Sequence, residues 1–395
     1  MPSNQLITNT EDLIKLVQEL QGHDYLAIDT EFHREKTYYP EVCLIQLATP
    51  DTVAAIDPLA EGLDLQPLIT LLNDEKQTKI FHAGRQDLEI FWALTGQVLT
   101  PVFDTQIAAM ALGYGDQISY INLVERVLGK RLSKAQQLTN WKRRPLSPQQ
   151  IDYALDDVIY LRHVYTKMLD QLSAKNRLHW LDEEDARLTN PLNFESDPET
   201  LTKNIRLKDR SPYAHTALKK FALWRDKVAQ KEDRPRHHII RDDGLIVLAQ
   251  QRPETPEAAL NARMLNHDFV KKYGEDIFAI SKDVHATPEH ELEKPLKRKR
   301  NENSTNTLAT RLANLLIAYR SDLENITPRL IGNAAEVEAF INGRPSLLEK
   351  GWRYDLVGRD IQQLMAGKTS LWIENGQLRC SPCETASKYS EEASD

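Results

Sequence analysis

The stretch YLAIDTEF, residues 25–32, determines the architecture expected for the first half of the chain. Its apolar residues 26–28 are typical of a buried β-strand, and two acids separated by Thr30 follow directly. Because side chains alternate between the faces of a strand, Asp29 and Glu31 are expected to project in the same direction. Two like charges there repel each other and lose hydration, and a bound cation removes both penalties. The stretch therefore predicts a strand that presents two carboxylates to a metal ion.

A second interpretation of the same stretch has to stand beside the first. The strand would end at Ile28, and Asp29 and Glu31 would lie in a solvated turn. Nothing within these eight residues separates the two interpretations.

Composition places the chain among soluble globular proteins. Its 395 residues suggest two or three domains, and 41% hydrophobic and 27% charged residues are ordinary values. There is no apolar run of membrane-spanning length and no basic start leading into an apolar core, so we expect neither membrane insertion nor a secretory signal. Three cysteines, Cys43, Cys380 and Cys383, do not make a disulfide framework, which favours a reducing cytoplasm.

The net charge of −8 argues at first against a polyanionic ligand. However, basic residues cluster at 203–210, 219–236 and 294–300, and local patches rather than net charge decide phosphate binding. Solvated helix faces and a charged linker are the alternative interpretation of these clusters.

Hydrophobic patterns along the first half predict a mixed sheet with flanking helices. A short helix is expected first, with Thr8 and Glu11 forming a capping box. Three apolar segments with short polar connections then predict an antiparallel meander, at residues 26–28, 42–48 and 53–56. Helix and strand patterns alternate afterwards, with helices at 65–72, 88–94 and 105–112 and strands at 79–82 and 102–103. This order indicates an α/β domain.

Two further acids precede predicted helices in this region. Asp87 and Asp104 each stand where a carboxylate caps a helix and meets its dipole. We interpret Asp104 as such a cap. Asp87 differs because it follows a buried strand and the glycine turn at Gly84, a position that can face the centre of a sheet.

A long helix is predicted from Ser147-Pro148 onward. Tyr153 and Asp157 are four residues apart within it and therefore share a face. Asp152 and Asp156 repeat that spacing one residue earlier and are expected to be solvated. The alternative is an amphipathic helix in which Asp157 is solvated too.

Taken together, these segments resemble the three motifs of the DEDD exonuclease superfamily, tyrosine subtype. The matching segments are DTE at 29–31, HAGRQD at 82–87 and YALDD at 153–157. The surrounding sequence is closer still to the ribonuclease D family, in DTEFHREKTYYPEVCLIQL, FHAGRQDLEIF, FDTQIAA and NWKRRPLSPQQIDYALDD. The resemblance covers about residues 5–172 and implies a ribonuclease H-like fold.

The resemblance also implies a two-metal-ion nuclease, and the residue types fit that chemistry. Mg²⁺ prefers oxygen ligands from a few carboxylates, and two such ions can bracket a phosphodiester. Asp29, Glu31, Asp87 and Asp157 would hold two Mg²⁺ ions, with Mn²⁺ as the other possibility. By resemblance Tyr153 orients the attacking water, and its ordinary pKa near 10 favours positioning over proton removal. No small organic cofactor is expected.

Two neighbouring residues are candidates for substrate contact. Phe32 follows the acids and could stack on a terminal base, although a core phenylalanine fits equally well. His82 could reach a phosphate or the terminal sugar, and a hydrogen-bonded structural histidine is the alternative. The basic segment 130–144 is interpreted as a substrate-side loop.

The second half resembles helical nucleic-acid-binding modules called HRDC domains. ALWRDKVAQKEDRPRHHIIRDDGLIVLAQQRPET carries the first match, and Tyr319-Arg320 with Arg344-Pro345 suggest a second, divergent copy. An unrelated helical tail is the alternative for that second copy. Cys380 and Cys383 have the spacing of a zinc knuckle but no second ligand pair, so zinc is not predicted. The expected division is an exonuclease domain at 1–200, HRDC at 208–290, a basic flexible linker at 291–304, an HRDC-like domain at 305–382 and an acidic tail at 383–395.

The resemblance implies a 3′–5′ exoribonuclease that trims the 3′ ends of tRNA precursors and releases 5′-mononucleotides. Two alternatives remain open at the level of sequence. One is a DNA 3′–5′ exonuclease of the helicase-associated kind, because the 2′-hydroxyl that separates RNA from DNA leaves no motif here. The other is a non-catalytic RNA-binding scaffold.

Overall fold

The computed structural model describes residues 5–133, 136, 139–261, 265–293 and 305–383. Its first half is built on a six-stranded sheet with the strand order β1-β4-β3-β2-β5-β6. The strands are β1 (Gln5–Ile7), β2 (Tyr25–His33), β3 (Glu41–Ala48), β4 (Val53–Ile56), β5 (Thr78–Phe81) and β6 (Val102–Asp104). Strands β2, β3 and β4 pair antiparallel, so the predicted meander is confirmed. Three parallel pairs, β1·β4, β2·β5 and β5·β6, make the sheet mixed.

Helices cover both faces of this sheet. They are α1 (Thr10–Leu20), α2 (Gln66–Leu72), α3 (Arg85–Thr95), α4 (Thr105–Ala111), α5 (Tyr120–Leu128), α6 (Pro148–Ala174) and α7 (Leu178–Leu188). Helices α1, α2 and α3 share a core with Ile28 of β2. Helix α6 contacts β2, β3 and β4 from the other face. The predicted α/β architecture is confirmed, whereas β1, α5 and α7 were not predicted.

Capping residues set the starts of α1 and α6. Asn9, rather than Thr8, caps α1 by accepting a hydrogen bond from the backbone of Asp12, so the predicted capping box is wrong by one residue. Ser147 caps α6 through a complete capping box with Gln150, which confirms the predicted start of that helix.

The second half is helical apart from a terminal hairpin. The first helical group contains α8 (Pro198–Thr202), α9 (Pro212–Lys231), α10 (Arg236–Ile239), α11 (Asp242–Gln251), α12 (Pro256–Leu260) and α13 (His267–Ala286). The second contains α14 (Thr305–Glu324), α15 (Pro328–Ile331), α16 (Ala334–Ile341), α17 (Gly351–Arg353) and α18 (Arg359–Met365), with a π-helical turn at Tyr354–Gly358. Short 3₁₀ turns lie at Pro191–Asn193, Glu289–Glu291 and Leu347–Glu349.

The hairpin corrects the all-helical description of residues 305–382. Strands β7 (Thr369–Glu374) and β8 (Gln377–Pro382) pair antiparallel. Asn375 and Gly376 connect them, both with positive φ, as the tight turn of a hairpin requires. The Asn-Gly pair flanked by strand-forming residues was the available signal for this turn.

Both helical groups contact the sheet domain. Trp180 of α7 stacks on Trp352 of α17, with ring centroids 4.3 Å apart. The loop after β2 contacts the first group, because the Tyr38 hydroxyl donates to Asp226 of α9 at 2.9 Å. Within the described ranges, no helix combines the length and the apolar character needed to cross a bilayer. The predicted flexible linker at 291–304 lies outside those ranges from residue 294 onward, and the predicted acidic tail at 383–395 lies outside them from residue 384 onward.

Candidate active site

Strand β2 carries its two acids within the sheet. It runs from Tyr25 to His33, so the interpretation in which the strand ends at Ile28 is wrong. Asp29 lies opposite Gln46 and Glu31 opposite Leu44 on β3, and these pairings place both acids on the face that α6 covers. The register shifts by one residue directly after Glu31, which is a β-bulge at the end of the acidic pair.

Helix α6 adds a third carboxylate to this pair. Carboxylate oxygens of Asp29, Glu31 and Asp157 lie within 4.8 Å of one another. Asp152 and Asp156, the neighbours that share the same helical spacing, are exposed as predicted. Two segments more than a hundred residues apart therefore converge on one acidic cluster.

Asp87 lies beside this cluster but outside its 4.8 Å group. It stands in the first turn of α3, and Thr30 donates a hydrogen bond of 2.5 Å to its carboxylate. Thr30 projects from the face of β2 opposite to Asp29 and Glu31, so this bond ties α3 to the acidic strand. The structure thus brings three of the four predicted metal ligands together and keeps the fourth adjacent, fixed by Thr30.

A second aspartate, Asp104, stabilises the turn at Ala83-Gly84 that precedes Asp87. Asp104 accepts backbone hydrogen bonds from Ala83 at 3.0 Å and Gly84 at 2.8 Å. It also accepts from the Gln106 backbone at 2.8 Å, which confirms it as the cap of α4. Gly84 is required here because an added Cβ would lie 2.4 Å from the Phe81 Cβ.

A cavity of about 280 Å³ opens beside the acidic cluster. Its lining combines the three clustered acids with residues of β2, α5, α6 and the neighbouring loops: Asp29, Thr30, Glu31, His82, Ser119, Tyr120, Ile121, Tyr153, Asp157 and Leu161. Tyr120 was not identified from the sequence because no motif marks it. Its hydroxyl donates to the backbone carbonyl of Asp157, which fastens the acidic turn of α6 to α5.

Tyr153 lies on the wall of this cavity, one helical turn before Asp157. Burial raises the pKa of its phenol, and the nearby Asp157, Glu31 and Asp29 carboxylates raise it further. A phenol in these surroundings stays protonated and serves as a hydrogen-bond donor. Trp141 packs beside Tyr153 with ring centroids 6.3 Å apart.

Arg144, in the segment interpreted from sequence as a substrate-side loop, is instead engaged within the protein. Its guanidinium donates to both carboxylate oxygens of Asp57 at 2.6 Å, and to the backbone carbonyls of Cys43 at 2.7 Å and Trp141 at 2.6 Å. This network anchors the loop that carries Trp141 to strands β3 and β4.

The two predicted substrate contacts occupy different surroundings. Phe32 is half-buried and packs against the core shared with α1 and α3, and it does not line the cavity. His82 lines the cavity, and both of its ring nitrogens have protein partners, the Thr105 hydroxyl at 3.0 Å and the Ile118 carbonyl at 3.1 Å. Burial lowers the pKa of His82, against the opposing effect of Asp104.

Burial and mutual repulsion disfavour the charged forms of the four acids and raise their pKa values. Burial raises the pKa of Glu31 to about 8, and the charges of Asp157 and Asp87 add to this rise. Burial also raises the pKa of Asp157 to about 7, with a further contribution from Asp156. The pKa of Asp87 rises to about 6 through burial, although the Thr30 hydrogen bond opposes it. Burial, followed by the charges of Asp157, Asp87 and Glu31, puts the pKa of Asp29 well above its usual range.

These carboxylates fit divalent metal ions. Among the described residues, none of the four acids forms a salt bridge with lysine, arginine or histidine. Clustered carboxylate oxygens are the ligands that hard divalent cations take in proteins. A cation bound here would remove the repulsion that raises the pKa values of these groups.

Comparison with known families agrees with the fold and the site. A family model described as "3'-5' exonuclease" matches residues 4–173, which include all four acids and Tyr153. A model of the HRDC domain matches residues 215–280, which lie within the first helical group. The fold and site thus define a 3′–5′ exonuclease that carries a nucleic-acid-binding helical module.

Relatives and a solved structure narrow this class. Ribonuclease D of Sphingobium indicum is 39% identical over 387 residues, covering 96% of this chain and 99% of the relative. Ribonuclease D of Bartonella henselae is 37% identical, covering 95% of this chain and 93% of the relative. The crystal structure of Escherichia coli RNase D, an exoribonuclease, superposes with a TM-score of 0.79 at 28% identity, covering 92% of this chain and 99% of the other.

The chain belongs to the ribonuclease D family. It is a 3′–5′ exoribonuclease, a hydrolase of phosphodiester bonds that depends on divalent metal ions and acts on RNA. These findings do not favour the DNA exonuclease or the non-catalytic scaffold.

Proposed function

We propose that the chain trims 3′ extensions from tRNA precursors in the cytoplasm and releases 5′-mononucleotides, with Mg²⁺ as the working metal. The observation that carries the proposal is the cluster of Asp29, Glu31 and Asp157, within 4.8 Å and without a basic partner among the described side chains. Mg²⁺ suits such a cluster because it binds through a few carboxylates and keeps waters for chemistry.

Each predicted site residue has a role in this proposal. Asp29, Glu31, Asp87 and Asp157 would hold two divalent ions, whose chemistry would be to activate a water and to stabilise the leaving oxygen. Tyr153 positions that water by hydrogen bonding, as its raised pKa favours. His82 keeps the cavity wall in place through its two hydrogen bonds, and its ring borders the space proposed for the terminal sugar. Phe32 supports the acidic strand from the core and is the weaker candidate for contact with a base.

The helical groups supply the grip on structured RNA. The first includes the HRDC domain proposed at residues 208–290, and it contacts the sheet domain through Tyr38, Asp226 and Arg236. The second, at residues 305–382, is proposed as a divergent HRDC-like copy, with the exonuclease domain at 1–200. Helix α17 of this second group packs on α7 of the sheet domain through the Trp180–Trp352 stack. An assembly with these contacts can hold the folded body of a tRNA while a single-stranded end enters the cavity.

Purified full-length chain should be assayed on four substrates: 3′-extended tRNA, an unstructured RNA of equal length, matched DNA and circular RNA. We expect stepwise loss of 5′-mononucleotides from the extended tRNA in Mg²⁺, no activity with chelator and no cleavage of the circle. A stop at the mature 3′ end would support tRNA trimming. Equal rates on tRNA and unstructured RNA would contradict the substrate assignment, and cleavage of the circle would exclude an exonucleolytic mechanism.

A matched pair of variants tests the site itself. Asp157→Asn removes a proposed ligand, whereas Asp152→Asn changes an exposed acid on the same helix. The proposal requires loss of activity in the first variant and near-normal activity in the second. If Asp157→Asn still trims RNA at a near-normal rate, the proposal that α6 contributes a metal ligand is wrong.

A further inference from the structure

Gln46, at the centre of β3, is a buried polar residue whose amide is unpaired. Its side chain is fully buried, and neither its amide nitrogen nor its amide oxygen has a protein hydrogen-bond partner. Among the side chains that the structure describes, no other amide is buried with both of its ends unpaired. Buried groups of this kind are uncommon, because each gives up its hydration and gains no bond in return.

The register of the sheet places this amide next to the metal site. Gln46 lies directly opposite Asp29 on the neighbouring antiparallel strand, so both side chains project from the same face. Leu44 and Ala48, two residues away on either side, belong to cores that include residues of α6. Gln46 therefore lies between the sheet and α6, beside the acidic cluster and behind the cavity wall.

A glutamine in this position can reach the carboxylate opposite it. Side chains directly opposite in an antiparallel pair have Cβ atoms about 4.5–5.5 Å apart, a gap that a glutamine amide spans by changing rotamer. Carboxylates that bind metals are themselves commonly held by hydrogen bonds from a second layer of residues, which fix their orientation. An amide provides such a bond without adding charge, whereas an arginine or lysine there would neutralise the cluster and compete with the metal.

We propose that Gln46 is a positioning residue for Asp29, donating an amide hydrogen bond to its carboxylate when a divalent ion is bound. The proposal rests on the metal-binding role proposed for Asp29. It means that the unpaired amide serves the metal-bound enzyme and contributes nothing to folding. A purely structural glutamine would show the opposite behaviour.

The test compares two buried glutamines in the full-length chain. Gln46→Met keeps the length of the side chain and removes its polar atoms. Gln77→Met is the matched control, because Gln77 is also buried but donates to the carbonyls of Leu20 at 2.9 Å and His23 at 3.2 Å. Each protein, with wild type and Asp29→Asn, is melted in chelator and then in a titration of Mn²⁺ or Mg²⁺. The metal midpoint for hydrolysis of a short single-stranded RNA is measured in parallel.

The proposal predicts that Gln46→Met melts in chelator at or above the wild-type Tm, while Gln77→Met melts lower. It also predicts that Gln46→Met needs about 10-fold more metal, both for its rise in Tm and for activity, whereas Gln77→Met keeps the wild-type midpoint. A lower Tm or failure to fold of Gln46→Met, or an unchanged metal midpoint, would overturn the proposal. Asp29→Asn separates the two levels of inference: if it keeps the metal-induced rise in Tm, the metal-binding role of Asp29 fails, independently of Gln46.

Discussion

Two groups of acidic side chains in this chain have opposite electrostatic surroundings: one pairs with a buried arginine, and the other has no described basic partner. At the junction between α7 and α17, the guanidinium of Arg353 is buried and pairs with Glu183 at 2.6 Å and with Glu184. In the cleft, Asp29 and Asp157 stand among other carboxylates, and no described basic side chain pairs with them. The same chain therefore neutralises acids with arginine where it needs a fixed contact between two parts of the molecule. In the cleft the described residues leave the charge without a basic partner, and we propose that a bound divalent cation balances it.

The largest effect is expected from removing a cleft acid. Asp157→Asn should lower the rate of 3′ trimming by on the order of 10³-fold, because a metal ligand supports several kcal/mol of transition-state stabilisation. Single-turnover cleavage of a short RNA at saturating Mg²⁺ measures this loss. A reduction of less than tenfold would mean that Asp157 is not a metal ligand and, like Asp152 and Asp156, is only solvated.

Substitutions at the junction between α7 and α17 should lower the free energy of unfolding and leave the catalytic rate unchanged. Arg353→Met removes the shared partner of Glu183 and Glu184 and leaves Glu184 with Arg187 alone, so it should cost about 2 kcal/mol of unfolding free energy. Arg359→Met is the control, because its pair with Asp355 is exposed and should contribute less than about 1 kcal/mol. Denaturant unfolding measures both variants. Equal costs would mean that the buried arginine does not hold the junction.

The acids of the cleft should make the folded chain less stable as the pH rises, whereas acids paired with a basic residue make it more stable. The folded-state pKa of Glu31 rises to about 8 and that of Asp157 to about 7, both above their unfolded values. Below pH 4 these groups are protonated in both states, and between about pH 4 and pH 8 the unfolded chain releases their protons first. Stability in chelator should therefore fall across this range, and the rise in Tm caused by Mg²⁺ should grow from pH 6 to pH 8.

Glu31→Gln sharpens that contrast. It should flatten the pH profile in chelator and raise the Tm at pH 8 by a few degrees, since about 1 kcal/mol moves the Tm of a large domain by roughly 2–4 °C. The same variant should be inactive. Melting curves with and without chelator provide the measurement, and a Tm below that of wild type at pH 8 would contradict the account of the cleft.

The smallest effect is expected at Tyr120. Tyr120→Phe removes the hydroxyl that donates to the backbone carbonyl of Asp157 and keeps the ring that lines the cavity. The loss should be about 1 kcal/mol, seen as a roughly fivefold higher Mg²⁺ midpoint with modest change in Tm. Metal titration of RNA cleavage checks it, and an unchanged midpoint would show that α5 does not position the acidic turn of α6.

Local patterns were sufficient for much of this molecule. The alternation in YLAIDTEF fixed the shared face of Asp29 and Glu31, and helical spacing paired Tyr153 with Asp157. The start of α6 at Ser147-Pro148 followed from the same short-range rules. Each of these features depends on residues a few positions apart, which a single sequence displays.

Features made by distant residues were not accessible in the same way. Tyr120 meets Asp157 across 37 positions, and Thr30 meets Asp87 across 57. The position of Gln46 opposite Asp29 requires the register of β2 and β3, which the turn between them sets and the sequence does not state. The family resemblance named the four acids, but it did not name the residues that orient them.

The most direct test of the account is to locate metal ions in the crystallised protein. Crystals soaked in Mn²⁺ should give two anomalous peaks in the cleft, in contact with Asp29, Glu31, Asp87 and Asp157 and none at the Arg353 junction. Crystals of Asp29→Asn should lose them. A cleft without peaks in the wild-type protein, or peaks that persist in Asp29→Asn, would contradict the central claim that these carboxylates exist to bind catalytic metal.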